Sequence, residues 1–153
     1  MASIDELKAD SKAALKQGEA LKLETIRFLL ASLHNAEIEK RARSTSREEA
    51  ELTEVEAIAV LNKEAKKRKE AMEIYAGAGR KDLEEKEAKE LEIIKSYLPA
   101  ELTPAEIEAI INKVISAGSG SFGEVMKEVM GQVSGRADSK TVSELVKQKL
   151  GQG

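Results

Sequence analysis

The two prolines of this 153-residue chain lie five positions apart, and one helix cannot continue through both of them. The ring of Pro99 disfavours the helical conformation of the residue before it, so we expect the preceding helix to end near Tyr97. Pro104 follows an N-cap threonine and precedes a capping-box glutamate, which is the pattern of a helix start. The end of one helix and the start of the next this close together predict two domains, residues 1–98 and 99–153.

The composition predicts an all-helical protein. Charged residues make up 35% of the chain and aromatic residues only 3%, which is typical of long helices and unusual for strands. Apolar residues recur at helical spacing in four segments before the prolines and three after them. Gly77 to Gly79 joins the third and fourth segments, whose apolar stripes are narrow. We therefore expect an N-terminal domain of about four helices with a long hairpin, followed by a small C-terminal bundle of three helices.

Several helix starts carry capping signals. The first helix is expected to start at Ser3, and the last two at Ser121 and Asp138. The start of the third helix is ambiguous, because Ser46 and Thr53 are both followed by a glutamate three residues later. We favour Thr53.

The residue inventory excludes several classes of protein. The chain has no cysteine and a single His34, too few ligands for a thiolate or catalytic zinc site, so no metal or cofactor is expected. It has no 18-residue apolar run and no signal-peptide pattern, so we expect no membrane span and a cytoplasmic location. It also lacks a phosphate-binding loop and the Gly-x-Ser-x-Gly motif, so no catalytic residue is assigned. The net charge of −3 means that nucleic acid would need a local basic patch.

The strongest candidate for such a patch is the predicted loop from Gly131 to Asp138 and the helix after it. Gly135 would allow close approach of a ligand, and Arg136 could bind phosphate with a planar fork. Lys140 and Lys147 follow on the last helix. The alternative interpretation is a helix corner in which Gly135 is left-handed and Arg136 is merely solvated.

A second basic run on the third helix includes Lys63, Lys67 and Arg68. It could form a secondary phosphate-binding patch. However, acidic residues of the fourth helix would lie opposite in a hairpin, and we favour an ion-paired, solvated surface.

Short motifs that occur in order along nearly the whole chain resemble those of one family. They are Leu23 to Arg27 with Leu30, Lys63-Glu64 with Lys67-Arg68, Gly79-Arg80 with Asp82-Leu83, Glu87 with Glu90, Tyr97-Leu98-Pro99, Phe122-Gly123-x-Val125-Met126 and Gly135-Arg136-Ala137-Asp138. The family is YqeY, small bacterial proteins that share their C-terminal domain with the tail of the GatB subunit of glutamyl- and aspartyl-tRNA amidotransferase. The resemblance implies an all-helical fold that ends in this tail-like domain.

The resemblance also implies a function. In the amidotransferase the tail contacts tRNA, whereas the amidating site lies in a catalytic domain that this chain lacks. We therefore expect a non-catalytic accessory protein that binds tRNA or structured RNA through Gly135, Arg136, Lys140 and Lys147. One alternative is an adaptor that binds a protein partner or a second copy through the helical hairpin. The other, a carbon-nitrogen ligase with glutamine as amide donor, rests on the family alone.

Overall fold

The computed structural model describes residues 4–133 and 135–151, and every regular element in this part of the chain is helical. The α-helices are α1 (Ile4–Gln17), α2 (Ala20–Arg43), α3 (Glu54–Gly77), α4 (Lys81–Lys95), α5 (Pro104–Ser116), α6 (Phe122–Val133) and α7 (Ser139–Lys149). A short 3-10 helix, Glu48–Ala50, lies between α2 and α3. The predicted all-helical class is confirmed, with four α-helices before the prolines and three after them.

The described chain separates into two compact units, the first ending at Pro99 and the second beginning at Ala100. In the N-terminal unit, α2 is central because it contacts α1, α3 and α4. One face of each helix contributes to a single core, whose buried side chains are Leu7, Ile26, Leu29, Leu33, Leu61, Ala65, Leu91, Ile94 and Tyr97. Spacings of three and four residues bring these side chains onto one stripe per helix.

The predicted hairpin is formed by α3 and α4, which pack against each other. Gly79 has a φ of 69° and ends the turn after α3. The N–H of Arg80 donates to the carbonyl of Tyr75 at 2.9 Å, and the N–H of Gly79 donates to Ala76 at 3.2 Å. This pair of bonds is the Schellman motif, which satisfies carbonyls that the helix end leaves open. Residues 73–86 at the tip of the hairpin include no buried residue.

Both capping signals before α3 are used. The favoured start is confirmed, because the Thr53 hydroxyl accepts the N–H of Glu56 at 3.2 Å and the Glu56 carboxylate accepts the N–H of Thr53 at 2.8 Å. The Ser46 hydroxyl accepts the N–H of Glu49 at 3.3 Å, within the short 3-10 helix that precedes α3. The Lys40 ammonium group, 2.6 Å from the carboxylate of Glu56, is the main reason why the pKa of Glu56 falls to about 2.

The end of α4 lies two residues before the predicted position at Tyr97. The N–H of Tyr97 donates to the carbonyl of Ile94, a tighter turn than an α-helix makes. This turn directs the Tyr97 ring into the core, where its hydroxyl donates to the Asp10 carboxylate on α1 at 2.5 Å. Burial, and then this hydrogen bond, raise the pKa of Tyr97. The end of α4 is thereby fixed to α1.

The C-terminal unit has a second core, built from α5, α6 and α7. Its buried side chains are all β-branched: Ile107, Ile111, Val114, Val125, Val129, Val133, Val142 and Val146. The capping box at Thr103 and the cap at Ser121 are confirmed. Asp138 is at the N-cap position of α7, but the prediction that it caps the helix with its side chain is wrong, because its carboxylate makes no capping hydrogen bond. Ser3, the predicted cap of α1, lies outside the described residues.

The predicted loop from Gly131 to Asp138 is shorter than expected, because residues 131–133 form the last turn of α6. Val133 continues the spacing of Val125 and Val129 and is fully buried. Its burial is worth about 2 kcal/mol, more than the roughly 1 kcal/mol that a glycine costs inside a helix. Gly131 lies on the exposed side of the same turn, so the apolar stripe decided where the helix ends.

Two residues of α3 test whether the narrow stripe of the hairpin is the source of its stability. Leu61 is 1% exposed and Ile74 is 69% exposed. We expect Leu61→Ala to lower the free energy of unfolding by about 2–5 kcal/mol, because it leaves a cavity in the core. The matched variant Ile74→Ala should change it by less than about 0.5 kcal/mol. Urea unfolding followed by circular dichroism measures both, and equal losses would contradict the assigned core.

Candidate nucleic-acid interface

The turn between α6 and α7 holds the first candidate residues. Gly135 has a φ of 77°, a left-handed conformation that glycine adopts without strain. The N–H of Arg136 donates to the carbonyl of Val133 at 2.8 Å and closes the turn directly after α6. The backbone thus forms the helix corner that the sequence left open as an alternative. Ser134, within this turn, lies outside the described residues.

Arg136 also holds the segment that leads into α5. Its carbonyl accepts the N–H of Leu102 at 2.7 Å, and its Nε donates to the carbonyl of Ala100 at 3.5 Å. The second bond is at the upper limit of length for a hydrogen bond, and the side chain remains exposed. Arg136 is therefore more than a solvated residue, because its main chain is part of the fold while its guanidinium group faces solvent.

Helix α7 presents lysines on its exposed side. Lys140 lies in the first turn, and Lys147 follows seven residues later, so that both occupy one face of the helix two turns apart. The ammonium group of Lys147 lies 5.8 Å from the centroid of the Phe122 ring on α6, within the range of a cation–π interaction. Glu144 lies between the two lysines along the face, so the patch is basic but not purely so.

The second basic run does not form one surface. Arg68 is only 12% exposed, and its guanidinium group is bound by two carboxylates, at 3.0 Å from Glu64 on α3 and at 3.2 Å from Glu90 on α4. The expected ion pairs across the hairpin are therefore confirmed, but the expectation that Arg68 is solvated is wrong. A guanidinium group can be buried when several of its donors are satisfied, and the two carboxylates satisfy this condition. Lys63 and Lys67 remain exposed on the outer face of α3.

The ion pairs belong to a network that joins α2, α3 and α4. The second carboxylate oxygen of Glu64 accepts from Lys67 at 3.1 Å and from the Ser32 hydroxyl on α2 at 3.4 Å. The guanidinium carbon of Arg68 lies 4.7 Å from the centroid of the Phe28 ring, also on α2. We call these side chains, with Glu87 and Glu90, the Arg68 network.

The Arg68 network carries more acid than base. Three glutamates face Arg68 and Lys67, and Glu87 is the least well paired of them, at 3.8 Å from Arg68. Burial raises the pKa of Glu87, and the neighbouring Glu90 carboxylate raises it further. The Arg68 guanidinium group occupies the space between the three carboxylates, so the cation that pairs with them is a side chain of the protein itself.

Nothing in the sequence singles out Phe28 and Ser32, because their partners are distant along the chain. Glu64 could have been found, since it lies four residues before Arg68, the spacing of an ion pair on one helix face. It also lies between Leu61 and Ala65 on the buried stripe, where a carboxylate must have a partner.

Comparison with known proteins identifies the family to which this arrangement of helices belongs. The family described as Yqey-like protein matches residues 4–150. The chain belongs to the YqeY family. Two of the segments that resemble YqeY motifs are far apart in sequence but meet in the hairpin. They are Lys63 to Arg68 and Glu87 to Glu90, which the ion pairs of the Arg68 network join.

Curated relatives of this YqeY chain include proteins named "Altered inheritance of mitochondria protein 41, mitochondrial". The one from Pyrenophora tritici-repentis is 30% identical over 152 residues, covering 95% of this chain and 79% of that protein. The one from Saccharomyces cerevisiae is 28% identical over 137 residues, covering 86% of this chain and 70% of that protein. The chain covers 66% and 58% of the length of two further proteins with this name.

A different relative is a subunit of the glutamyl-tRNA(Gln) amidotransferase of Sulfurisphaera tokodaii. It is 43% identical over 68 residues, which cover 39% of this chain and only 10% of that much longer protein. The implied relation to amidotransferase subunits is therefore supported by a short segment.

The names of these relatives also bear on the organisms in which the family occurs and on the cellular location of the protein. Because several YqeY relatives are mitochondrial by name, the expectation of a purely bacterial family was too narrow. A cytoplasmic location stays a prediction for the same reason. No described helix of this chain is both long enough and apolar enough to cross a bilayer.

The Arg68 network predicts opposite effects for the same substitution at two positions of α4. Glu90→Gln should lower the free energy of unfolding by about 1.5–3 kcal/mol at pH 7, because it weakens a charge-assisted hydrogen bond to Arg68. Glu87→Gln should raise it, because the raised pKa of Glu87 means that its ionisation opposes folding.

The same measurement has a pH dependence. The unfolded Glu87 carboxyl titrates near 4.5 and the folded one at a higher pH. Stability contributed by the protonated form is present below pH 4.5 and is lost as the pH rises through the folded pKa. The gain from Glu87→Gln should therefore grow between pH 4.5 and 7 in urea unfolding. A gain that is independent of pH would contradict the raised pKa.

Proposed function

We propose that this YqeY chain is a non-catalytic accessory protein that binds tRNA or another structured RNA through its C-terminal unit. The observation that carries the proposal is the exposed basic group formed by Arg136 at the α6–α7 turn and by Lys140 and Lys147 on one face of α7. The name of the Sulfurisphaera relative, which is that of an amidotransferase acting on glutamyl-tRNA(Gln), supports the choice of RNA.

Each basic residue has a distinct part in this proposal. The guanidinium fork of Arg136 suits bidentate contact with a phosphate, and the left-handed Gly135 beside it presents no side chain that would keep a ligand away. Lys140 and Lys147, two helical turns apart, would follow a phosphate backbone along α7. Contacts of this kind fix position on an RNA without reading its sequence, so the RNA would be recognised by shape.

The affinity should be modest and sensitive to salt. The C-terminal unit has six basic and seven acidic residues, so its overall charge does not attract nucleic acid. Binding would depend on the few phosphates that the basic group neutralises, each of which releases counterions. This dependence separates the proposal from binding through apolar contacts.

The test is a binding titration of the full chain with total tRNA and with a duplex RNA of matched length at two salt concentrations. Arg136→Gln/Lys140→Gln should weaken tRNA binding and reduce the slope of log K against log salt by about two, one for each phosphate that the variant no longer neutralises. Glutamine at position 136 can still donate to the Ala100 carbonyl, so we expect the variant to keep the fold.

A matched control removes the same charge from the same unit. Lys113 and Lys127 are exposed on α5 and α6 and are not part of the basic group. Lys113→Gln/Lys127→Gln should leave the slope unchanged. Binding that both double variants weaken equally, or that does not respond to salt, would overturn the proposal.

A second candidate function is an adaptor that binds a protein or a second copy through α3 and α4. It is favoured by Val55 and Ile74, two large apolar side chains that α3 leaves exposed. Sedimentation velocity over a wide range of concentrations tests self-association, which Ile74→Glu should abolish because it would bury a charge. A monomer at every concentration would exclude the second copy as the partner.

A further inference from the structure

The Phe28 ring is an exposed aromatic surface whose orientation is fixed from behind. The ring is 48% exposed, although Phe28 is one of only four aromatic residues in the chain. The guanidinium group of Arg68 stacks against it at 4.7 Å. Arg68 is itself held by Glu64 and Glu90, so it cannot move aside without breaking two ion pairs. The ring therefore has one covered face and a surface open to solvent.

The charged side chains near the Phe28 ring lie at two depths. Glu64 is buried, and the side chain of Lys67, whose ammonium group binds it, is 54% exposed. Lys63 lies one turn before Lys67 on the same outer face of α3 and is also exposed. Lys63 and Lys67 place two ammonium groups on the solvent side of this seam, where Glu24, four residues before Phe28 on α2, and Glu70, three residues after Lys67 on α3, are also exposed. We call Phe28, Lys63 and Lys67 the Phe28 platform.

We propose that the Phe28 platform binds an unpaired nucleobase of RNA by stacking on the Phe28 ring, with Lys67 and Lys63 contacting phosphates of the adjoining backbone. Unpaired bases stack on aromatic side chains, and cations beside the ring follow the backbone. An apolar protein side chain would have no use for the two ammonium groups, which is why we favour RNA. This inference rests on the proposed function that the chain binds RNA, and it places a second contact on the N-terminal unit.

The experiment uses the full chain and three RNA probes: total tRNA, a short single-stranded oligoadenylate, and the same oligoadenylate with abasic sites. Wild type should bind the intact oligoadenylate about tenfold or more tightly than the abasic one, the value of about one stacked base. Phe28→Leu should remove this difference, because leucine keeps an apolar contact with Arg68 but has no aromatic face. Phe28→Tyr should retain it.

Comparing Lys67→Gln with Phe28→Leu separates the contribution of charge from that of stacking. Lys67→Gln should weaken both oligoadenylates and lower the salt slope, whereas Phe28→Leu should leave the slope unchanged. Thermal unfolding of each variant verifies that the fold is intact.

The outcomes distinguish this proposal from the proposed function. If tRNA binds and depends on Arg136 and Lys140, but Phe28→Leu binds the intact oligoadenylate as wild type does, only the platform is wrong. Equal binding of the intact and abasic oligoadenylates by wild type also overturns the platform. If no RNA binds at low salt, both proposals fail, and an apolar protein partner becomes the better account of the exposed ring.

Discussion

The guanidinium group of Arg68 is shared by three helices, and the N-terminal unit depends on this sharing. Glu64 comes from α3, Glu87 and Glu90 from α4, and the ring of Phe28 from α2. Removing a charge from water is costly unless nearly every donor is satisfied, so the cluster is stable only when all three helices are in place. Aliphatic stripes alone tolerate a shift by one helical turn, because one leucine can replace another. The ion pairs form only in one register, and we infer that they favour that register of α4 against α3.

The network also explains why a hairpin with so little apolar surface is ordered beyond its core. On α3 the buried side chains end at Ala65, Met72 packs against the core while only partly buried, and the tip of the hairpin has no buried residue. Ion pairs and the glycine turn at Gly79 replace apolar burial as the chain moves outward. Burial and the Glu90 carboxylate raise the pKa of Glu87 even though Arg68 and Lys86 oppose the shift. Where a fold keeps a charged group at a cost to its stability, the group is often retained for another purpose.

Different constraints act on the C-terminal unit. With about fifty residues it can bury only a small core, and that core consists of β-branched side chains that lose little entropy when they are fixed. Backbone bonds supplement it, and the most distant of these joins Leu102 to Arg136. One residue thus closes the turn after α6, holds the entry to α5 and presents a guanidinium group to solvent. The structural role of Arg136 therefore does not exclude the RNA-binding role that we propose for it.

The candidate site was only partly visible in the sequence. The basic residues themselves could be read directly, because charge is a property of each side chain. The surroundings of these basic side chains in the folded protein could not be predicted from the sequence. Lys63, Lys67 and Arg68 are neighbours in sequence, yet the helix turns Arg68 inward and leaves the two lysines outside. Phe28 becomes relevant only through its contact with Arg68, forty residues further along, and no local pattern predicts such a contact.

The sequence by itself determined the helical class, the break at the two prolines and most of the helix starts. These features depend on interactions within a few residues: apolar spacing, a hydroxyl at an N-cap, and the steric effect of a proline ring. Tertiary structure alone decided that α6 extends through Gly131 to bury Val133 and that Arg68 is held inside the N-terminal unit. Each of these outcomes depends on burial against residues far away in the chain, and the free energy of that burial exceeds the local preference that the sequence expresses.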